Sequence, residues 1–250
     1  MNPEYREKIA NEFRNCVTST INRIQNQADT FKPFHSALLS ENAVFWSRFE
    51  RSFSTSFGQR VVEEIARLLA LSNGSCEAQR QRETMVTLDR ALIHAIDAHI
   101  QAIRDNQNQL TSWQDVIDFF NTVPLSGVTE TVRVISDVWW VKNGTEHFVS
   151  LKTVKPNIDQ TAVAKRDCLL LYLNDPNRQV FFGLPYNPYG DNGRYNFNPP
   201  MKMFNFNEDP VVLIGRELWD TIGGDGSYNE LIEIATEVGN ETIPEIDRLR

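Results

Sequence analysis

Residues 133–157, RVISDVWWVKNGTEHFVSLKTVKPN, place a carboxylate and an ammonium on two neighbouring predicted strands. Asp137 interrupts an apolar strand, where a buried carboxylate is costly unless it is paired, hydrogen-bonded or bound to a metal. The KNG turn predicts a hairpin, because glycine tolerates positive φ. On the second strand, alternation puts Ser150 and Lys152 on one face together with Glu146. By itself, this pattern fits a reaction centre or an ordinary salt bridge between strands.

A second carboxylate is predicted on a helix that precedes the hairpin in the chain. The segment STSFGQRVVEEIARLLALSN predicts a helix over residues 57–72, opened by a capping box from Ser56 to Gln59. At about 100° per residue, its apolar stripe turns Glu63 towards solvent and leaves Glu64 on the flank. We therefore expect Glu64 to reach the edge of a sheet.

A third carboxylate is predicted on the helix that follows the hairpin, in DQTAVAKRDCLLLYLN. Helical spacing places Asp167 on one side with Gln160 and Val163, and turns Lys165 the other way. A carboxylate on the packing face of a helix indicates a specific role. A hydrogen bond to a backbone group near a helix start is the structural alternative.

These oxygen donors predict a Mg²⁺ site. Asp137, Glu64 and Asp167 offer the hard ligands that Mg²⁺ prefers, and Lys152 adds an ammonium. Such a site can polarise a phosphodiester and activate a water. The sequence has no Cys/His cluster with zinc spacing and no Gly-rich phosphate loop. Glu146 is the alternative to Asp167, but along a strand rising roughly 3.3 Å per residue it lies about 20 Å from Lys152.

Bulk composition limits the function classes. The 250 residues carry a net charge of −8, which argues against non-specific coating of nucleic acid but permits a specific DNA enzyme with one basic cleft. Three scattered cysteines predict reduced thiols in a cytoplasmic protein. No apolar run is long enough to span a membrane, and no secretory signal is recognisable, so we expect no membrane partner.

The order of predicted elements indicates an α/β fold, with a central mixed β-sheet flanked by helices and a helical N-terminal region. Residues 1–120 are predicted to be helical, including a helix from residue 84, and to contribute the core helix 57–72. Residues 121–250 are predicted to form the catalytic and DNA-recognition region. Without an evident linker, the two regions are expected to form one compact domain.

The Ser-Asp strand followed by Ser-x-Lys resembles the PD-(D/E)XK nuclease core in a divergent form. Ser136 replaces the proline, and Ser150 stands where the second acid is usual. The resemblance implies that Asp167 supplies the missing acid and that Glu64 is the glutamate of the preceding helix. The strings FERSFSTSFGQRVVEEIA, SLKTVKPNIDQT, YNPYG and VLIGRELWDTIGG further resemble type II restriction endonucleases of the TdeIII/MjaII type.

This resemblance implies a homodimeric, Mg²⁺-dependent enzyme that cuts double-stranded DNA at a short near-palindrome of GGNCC type. Guanines in such a site are read by bidentate cations in the major groove. The candidates for base reading are Arg194 first, then Asn192, Lys202 and Arg178. The candidates for phosphate contacts are Lys155, Asn157 and Gln160. An ordinary loop or cap role is an open alternative for each.

Two other functions are compatible with the same residues. One is a PD-(D/E)XK-like nuclease of repair or junction cleavage. The other is an inactive DNA- or protein-binding module that keeps the hairpin for structure. Cleavage of unmethylated plasmid in the presence of Mg²⁺ separates the three.

Overall fold

The structure of the protein, a computed structural model, describes residues 1–26, 32–107, 112–198 and 202–249. The helices within these ranges are α1 (Pro3–Asn26), α2 (Pro33–Leu38), α3 (Glu41–Ser56), α4 (Gln59–Ser72), α5 (Arg90–Arg104), α6 (Trp113–Asn121), α7 (Ile158–Asn174), α8 (Arg216–Gly223) and α9 (Ser227–Asp247). The strands are β1 (Glu77–Asp89), β2 (Thr129–Lys142), β3 (Thr145–Leu151), β4 (Gln179–Leu184) and β5 (Val212–Ile214). None of the described helices has the length and apolar content needed to span a bilayer.

The described strands form one mixed sheet in the order β1-β2-β3-β4-β5. β1, β2 and β3 are antiparallel neighbours, whereas β3, β4 and β5 run parallel. The β2–β3 hairpin turns through Asn143 and Gly144, whose φ angles of 53° and 77° suit a two-residue hairpin turn. Val138 pairs with Val149. The expected α/β class, with a mixed sheet flanked by helices and helices at the N-terminus, is confirmed.

The N-terminal region is not purely helical, contrary to expectation. The helix predicted from residue 84 begins only at Arg90, because residues 84–89 complete strand β1. Met85 is exposed and Val86 buried, as the two-residue period of a strand requires. Asp89 ends the strand and caps α5 with its carboxylate. The sheet therefore takes strands from both sides of residue 120.

Side chains of the hairpin alternate between two hydrophobic cores, one on each face of the sheet. Trp139 and Phe148 pack with residues of α5, α6 and α7. Val138, Trp140 and Leu151 pack with residues of α1, α4, α8 and α9. Helices α4 and α7, which carry the predicted acids, consequently cover opposite faces of the sheet.

Close packing beside the hairpin requires a glycine at position 183. A Cβ on Gly183 would lie 2.9 Å from Leu218 Cδ1 and 3.0 Å from Leu151 Cδ2, closer than carbon atoms normally approach. We expect Gly183→Ala to lower the free energy of unfolding by about 1–3 kcal/mol, as other overpacked cores do. Denaturant unfolding measures this, with Gly239→Ala in α9 as a control because a Cβ there meets only Ile243, at 3.8 Å. Equal midpoints for the two variants would contradict the expectation.

Candidate active site

The site is centred on the contact between Asp137 of β2 and Lys152, the residue that follows β3. Lys152 Nζ donates to Asp137 Oδ2 at 2.8 Å, and Ser150 Oγ donates to the same oxygen at 3.4 Å. The backbone N–H of Lys152 donates to the Gly183 carbonyl, so β4 fixes the main chain at this point. The convergence of carboxylate and ammonium predicted from strand alternation is therefore present.

Asp137 is buried, with an exposed fraction of 7%, and each of its oxygens is hydrogen-bonded. Oδ2 contacts Lys152 and Ser150, whereas Oδ1 accepts hydrogen bonds from the amides of Gln59 at 2.8 Å and Gln81 at 3.3 Å. These donors offset the desolvation that makes an isolated buried carboxylate so unfavourable. The carboxylate is thus held in one orientation from two sides.

The structure places Glu63 beside Asp137, so the prediction that Glu63 faces solvent is wrong. Glu63 is 4% exposed, and its Oε1 accepts from Gln81 Nε2 at 2.8 Å. Burial and the nearby Asp137 charge raise the pKa of Glu63. Glu64 reaches the edge strand β1, as expected, through an ion pair with Arg80 at 3.1 Å, and it also pairs with Arg67 at 2.6 Å.

Local packing explains why the apolar stripe predicted the wrong orientation for Glu63. Helix α4 is covered on more than one side, by α1 and α8 as well as by the sheet. Ala66 and Ala70, which follow Glu63 at helical spacings of three and seven residues, are completely buried. Small residues let the helix backbone approach a neighbour closely, and this pair of alanines was the sequence signal that could have identified Glu63.

Helix α4 begins without the predicted capping box. Its N-cap is Gly58, which provides no side-chain hydrogen bond. Ser56 belongs to the end of α3 and donates to the Ser52 carbonyl. The Gln59 side chain is consequently available for Asp137.

Gln81 is a site residue for which the sequence contained no signal. It lies on edge strand β1 between the pairs Arg80–Val138 and Arg82–Ser136, which places it opposite Asp137. Its φ of 50° is unusual for a residue other than glycine or asparagine. Such backbone outliers cluster at functional sites.

Asp167 lies near this centre without a direct hydrogen bond to it among the described contacts. Burial raises its pKa to about 6, with Lys152 acting to lower it and Asp137 to raise it. Helix α7 thus brings Asp167 within electrostatic range of the strand residues, on the face opposite α4.

The predicted faces of α7 need correction. Lys165, expected to point away from the packing side, is completely buried, donates to the Met203 carbonyl, and has a pKa lowered by burial to about 8. Val163, expected on the packing side, is 55% exposed. Buried residues surround much of this helix, so no single stripe describes its contacts.

Glu146, the alternative acid, is engaged far along the hairpin. It accepts hydrogen bonds from Trp139 Nε1 and Arg178 Nε, both at 3.0 Å. Arg178 is held by this ion pair and by a hydrogen bond to Asn174. Of the two candidate acids, Asp167 is the one that interacts electrostatically with Asp137 and Lys152.

Three of the predicted DNA contacts have structural partners. Asn157 and Gln160 form the capping box of α7, each side chain accepting from the other's backbone N–H. Lys202 Nζ donates to Asn106 Oδ1 at 2.6 Å, at the end of α5. These contacts correspond to the structural alternatives that the sequence left open.

The loop after β4 brings the other candidates near the end of β3. Tyr195 is buried, and its hydroxyl donates to the Val154 carbonyl at 2.9 Å, two residues beyond Lys152. Its neighbour Arg194 is exposed, as is Asn192. Lys155 Nζ lies 5.9 Å from the ring centres of Tyr189 and Phe197.

The donor set suits a hard divalent cation. No group of three or more His, Cys, Asp or Glu side chains arranged for a metal occurs in the described ranges. Asp137 and Glu63 nevertheless share the Gln81 amide, and Asp167 lies within electrostatic range of Asp137. Mg²⁺ is commonly held by only one or two carboxylates, with waters and substrate phosphates completing its shell.

Comparisons with known proteins give a consistent result. A family described as "Type II restriction endonuclease, HinfI" matches residues 1–239. The type II restriction enzyme HgiCII of Herpetosiphon aurantiacus is 32% identical over 98% of this chain and 90% of its own length. HgiEI from the same organism is 34% identical over 94% of this chain and 86% of its own length.

Proposed function

The chain belongs to the HinfI family of type II restriction endonucleases, and from this premise we propose that it cuts double-stranded DNA by Mg²⁺-dependent hydrolysis at a GGNCC-type site. The resemblance to type II restriction endonucleases noted in the sequence is confirmed, and the family that matches is HinfI. The protein is accordingly a site-specific deoxyribonuclease. Its metal, its recognition sequence and its residue roles are the proposed part.

The contact between Lys152 and Asp137 is the observation that supports this proposal most directly. An ammonium just after the end of β3 meets a buried carboxylate in the interior of β2, and a second buried carboxylate, Glu63, shares a donor with the first. A structural salt bridge alone would not need the additional buried acid, whose desolvation is unfavourable.

The roles follow from the chemistry of the groups. Asp137 and Glu63 would hold the cation through carboxylate oxygens, and Asp167 is the candidate for a third. Bound Mg²⁺ polarises the phosphodiester and lowers the pKa of a water. Lys152 would orient the attacking water and stabilise the negative charge that develops on the phosphate. Ser150 supports the orientation of Asp137 by its hydrogen bond.

DNA contacts are proposed on the loop beside the hairpin. Arg194 and Asn192 are exposed there, and guanine recognition suits an arginine. Lys155 follows Lys152 by three residues and suits a phosphate contact. Two chains would act together as a homodimer, because a near-palindromic site presents the same half-site to each subunit.

Digestion of unmethylated plasmid tests this function. With Mg²⁺ we expect a reproducible set of discrete fragments, and with a chelating agent we expect intact plasmid, because the carboxylates alone do not activate water. Sequencing the fragment ends identifies the site. A smear would indicate a non-specific nuclease, and intact DNA at every Mg²⁺ concentration would contradict the proposal.

A further inference from the structure

We propose that Gln81 is a positioning residue, whose side-chain amide joins Glu63 to Asp137 and keeps their oxygens close enough to serve one divalent cation. The inference rests on the proposed function of these two carboxylates. Gln81 was not among the predicted site residues. Among the described hydrogen bonds, its side chain contacts the acids Glu63 and Asp137, but not Glu64 or Asp167.

The Gln81 amide bridges two carboxylates that lie on different elements. Gln81 Nε2 donates to Glu63 Oε1 at 2.8 Å and to Asp137 Oδ1 at 3.3 Å. Glu63 lies on α4 and Asp137 on β2, so the amide of a β1 residue sets their separation. The NH₂ group has two hydrogens, one for each carboxylate.

The backbone of Gln81 has an unusual conformation at the position of this contact. Its φ of 50° lies in the left-handed region, which is unfavourable for side chains with a Cβ. The ladder stays in register on both sides, with Arg80 opposite Val138 and Arg82 opposite Ser136. The distortion is therefore confined to the residue that faces Asp137, where it directs the amide towards the two acids.

A carboxylate can keep this hydrogen bond while it binds an ion. Each carboxylate offers about four lone-pair positions, so Glu63 Oε1 can accept from the amide and still bind a cation. Asp137 accepts two hydrogen bonds on each oxygen, so a bound cation would replace one of these donors. Partners of this kind orient metal ligands, and their removal typically weakens metal affinity by roughly 10–100-fold. Gln59 supports Asp137 from α4 through the same oxygen and also hydrogen-bonds to Glu63, whereas Gln81 reaches both acids from β1.

The test measures Mn²⁺ binding to the full chain without DNA, by calorimetry. Gln81→Met keeps a side chain of similar length and removes the donors, so we expect its dissociation constant to rise about 10–100-fold. Gln81→Gly relieves the backbone conformation but also lacks the amide, and we expect the same weakening. Gln79→Met is the matched control, because Gln79 is an exposed glutamine of the same strand that bonds to Arg82 instead. Thermal unfolding without metal checks that each variant is folded.

The outcomes separate this inference from the proposed function. Parent-like Mn²⁺ affinity in folded Gln81→Met would overturn the positioning role, and so would an equal loss in Gln79→Met. Restored affinity in Gln81→Gly would attribute the effect to the backbone and would also overturn it. If the parent protein cleaves DNA and Gln81→Met binds Mn²⁺ normally, the positioning role fails and the proposed function stands. If the parent binds Mn²⁺ and cuts no DNA, the function fails while the Gln81 comparison still stands.

Discussion

Lys152→Ala is expected to reduce the rate of DNA cleavage by about 10²–10³-fold, the usual effect of removing one group that stabilises charge in a transition state. The ammonium is the cation in direct contact with Asp137 among the described ion pairs, and it belongs to the residue that follows β3. The Asp137 carboxylate keeps the donors of Gln59 and Gln81 in the variant, so the fold should survive. Single-turnover cleavage of a plasmid at saturating Mg²⁺ measures the effect.

The matched control is Lys142→Ala, at the other end of the same hairpin. We expect this variant to cleave at the parental rate, because it lies beside the turn rather than the site. DNA binding should be retained by both variants in a mobility-shift experiment with Ca²⁺. Parental cleavage by folded Lys152→Ala would show that its contact with Asp137 is only structural, and the proposed mechanism would be lost.

The second large effect distinguishes two adjacent glutamates. Glu63→Gln is expected to reduce cleavage at least ~100-fold, because a neutral amide is a poorer ligand for a hard cation than a carboxylate. The variant can still accept the Gln81 hydrogen bond through its carbonyl oxygen, so the local structure should persist. Cleavage rates across a Mg²⁺ titration measure the loss, and we expect higher Mg²⁺ to recover part of it.

Glu64→Gln is the companion variant, and we expect it to cleave within a few-fold of the parent. Glu64 is paired with Arg67 and Arg80, so its replacement removes partly buried ion pairs and leaves the contacts of Asp137 in place. The opposite result, with Glu64→Gln inactive and Glu63→Gln active, would restore the assignment made from the helical stripe.

The hairpin was predictable because its determinants are local. The Asn-Gly turn selects a two-residue hairpin, and the strand period then carries Asp137 and Lys152 to the same place. The capping box of α7 is likewise formed by neighbouring residues, Asn157 and Gln160, and can be recognised without knowledge of the fold. Similar reasoning failed at Ser56, because α3 runs on through this residue and α4 begins only after it.

The α/β class, the restriction endonuclease resemblance and the meeting of Asp137 with Lys152 were predictable from the sequence, since they depend on turns, strand alternation and motif order. Three features became evident only in the folded chain: which glutamate of α4 faces Asp137, the burial of Lys165, and the contact of Gln81 with both acids. Helical periodicity identifies one apolar stripe, but a helix enclosed by several neighbours buries further faces. Which of those faces meets the site depends on residues distant in the chain, and this information is absent from any local pattern.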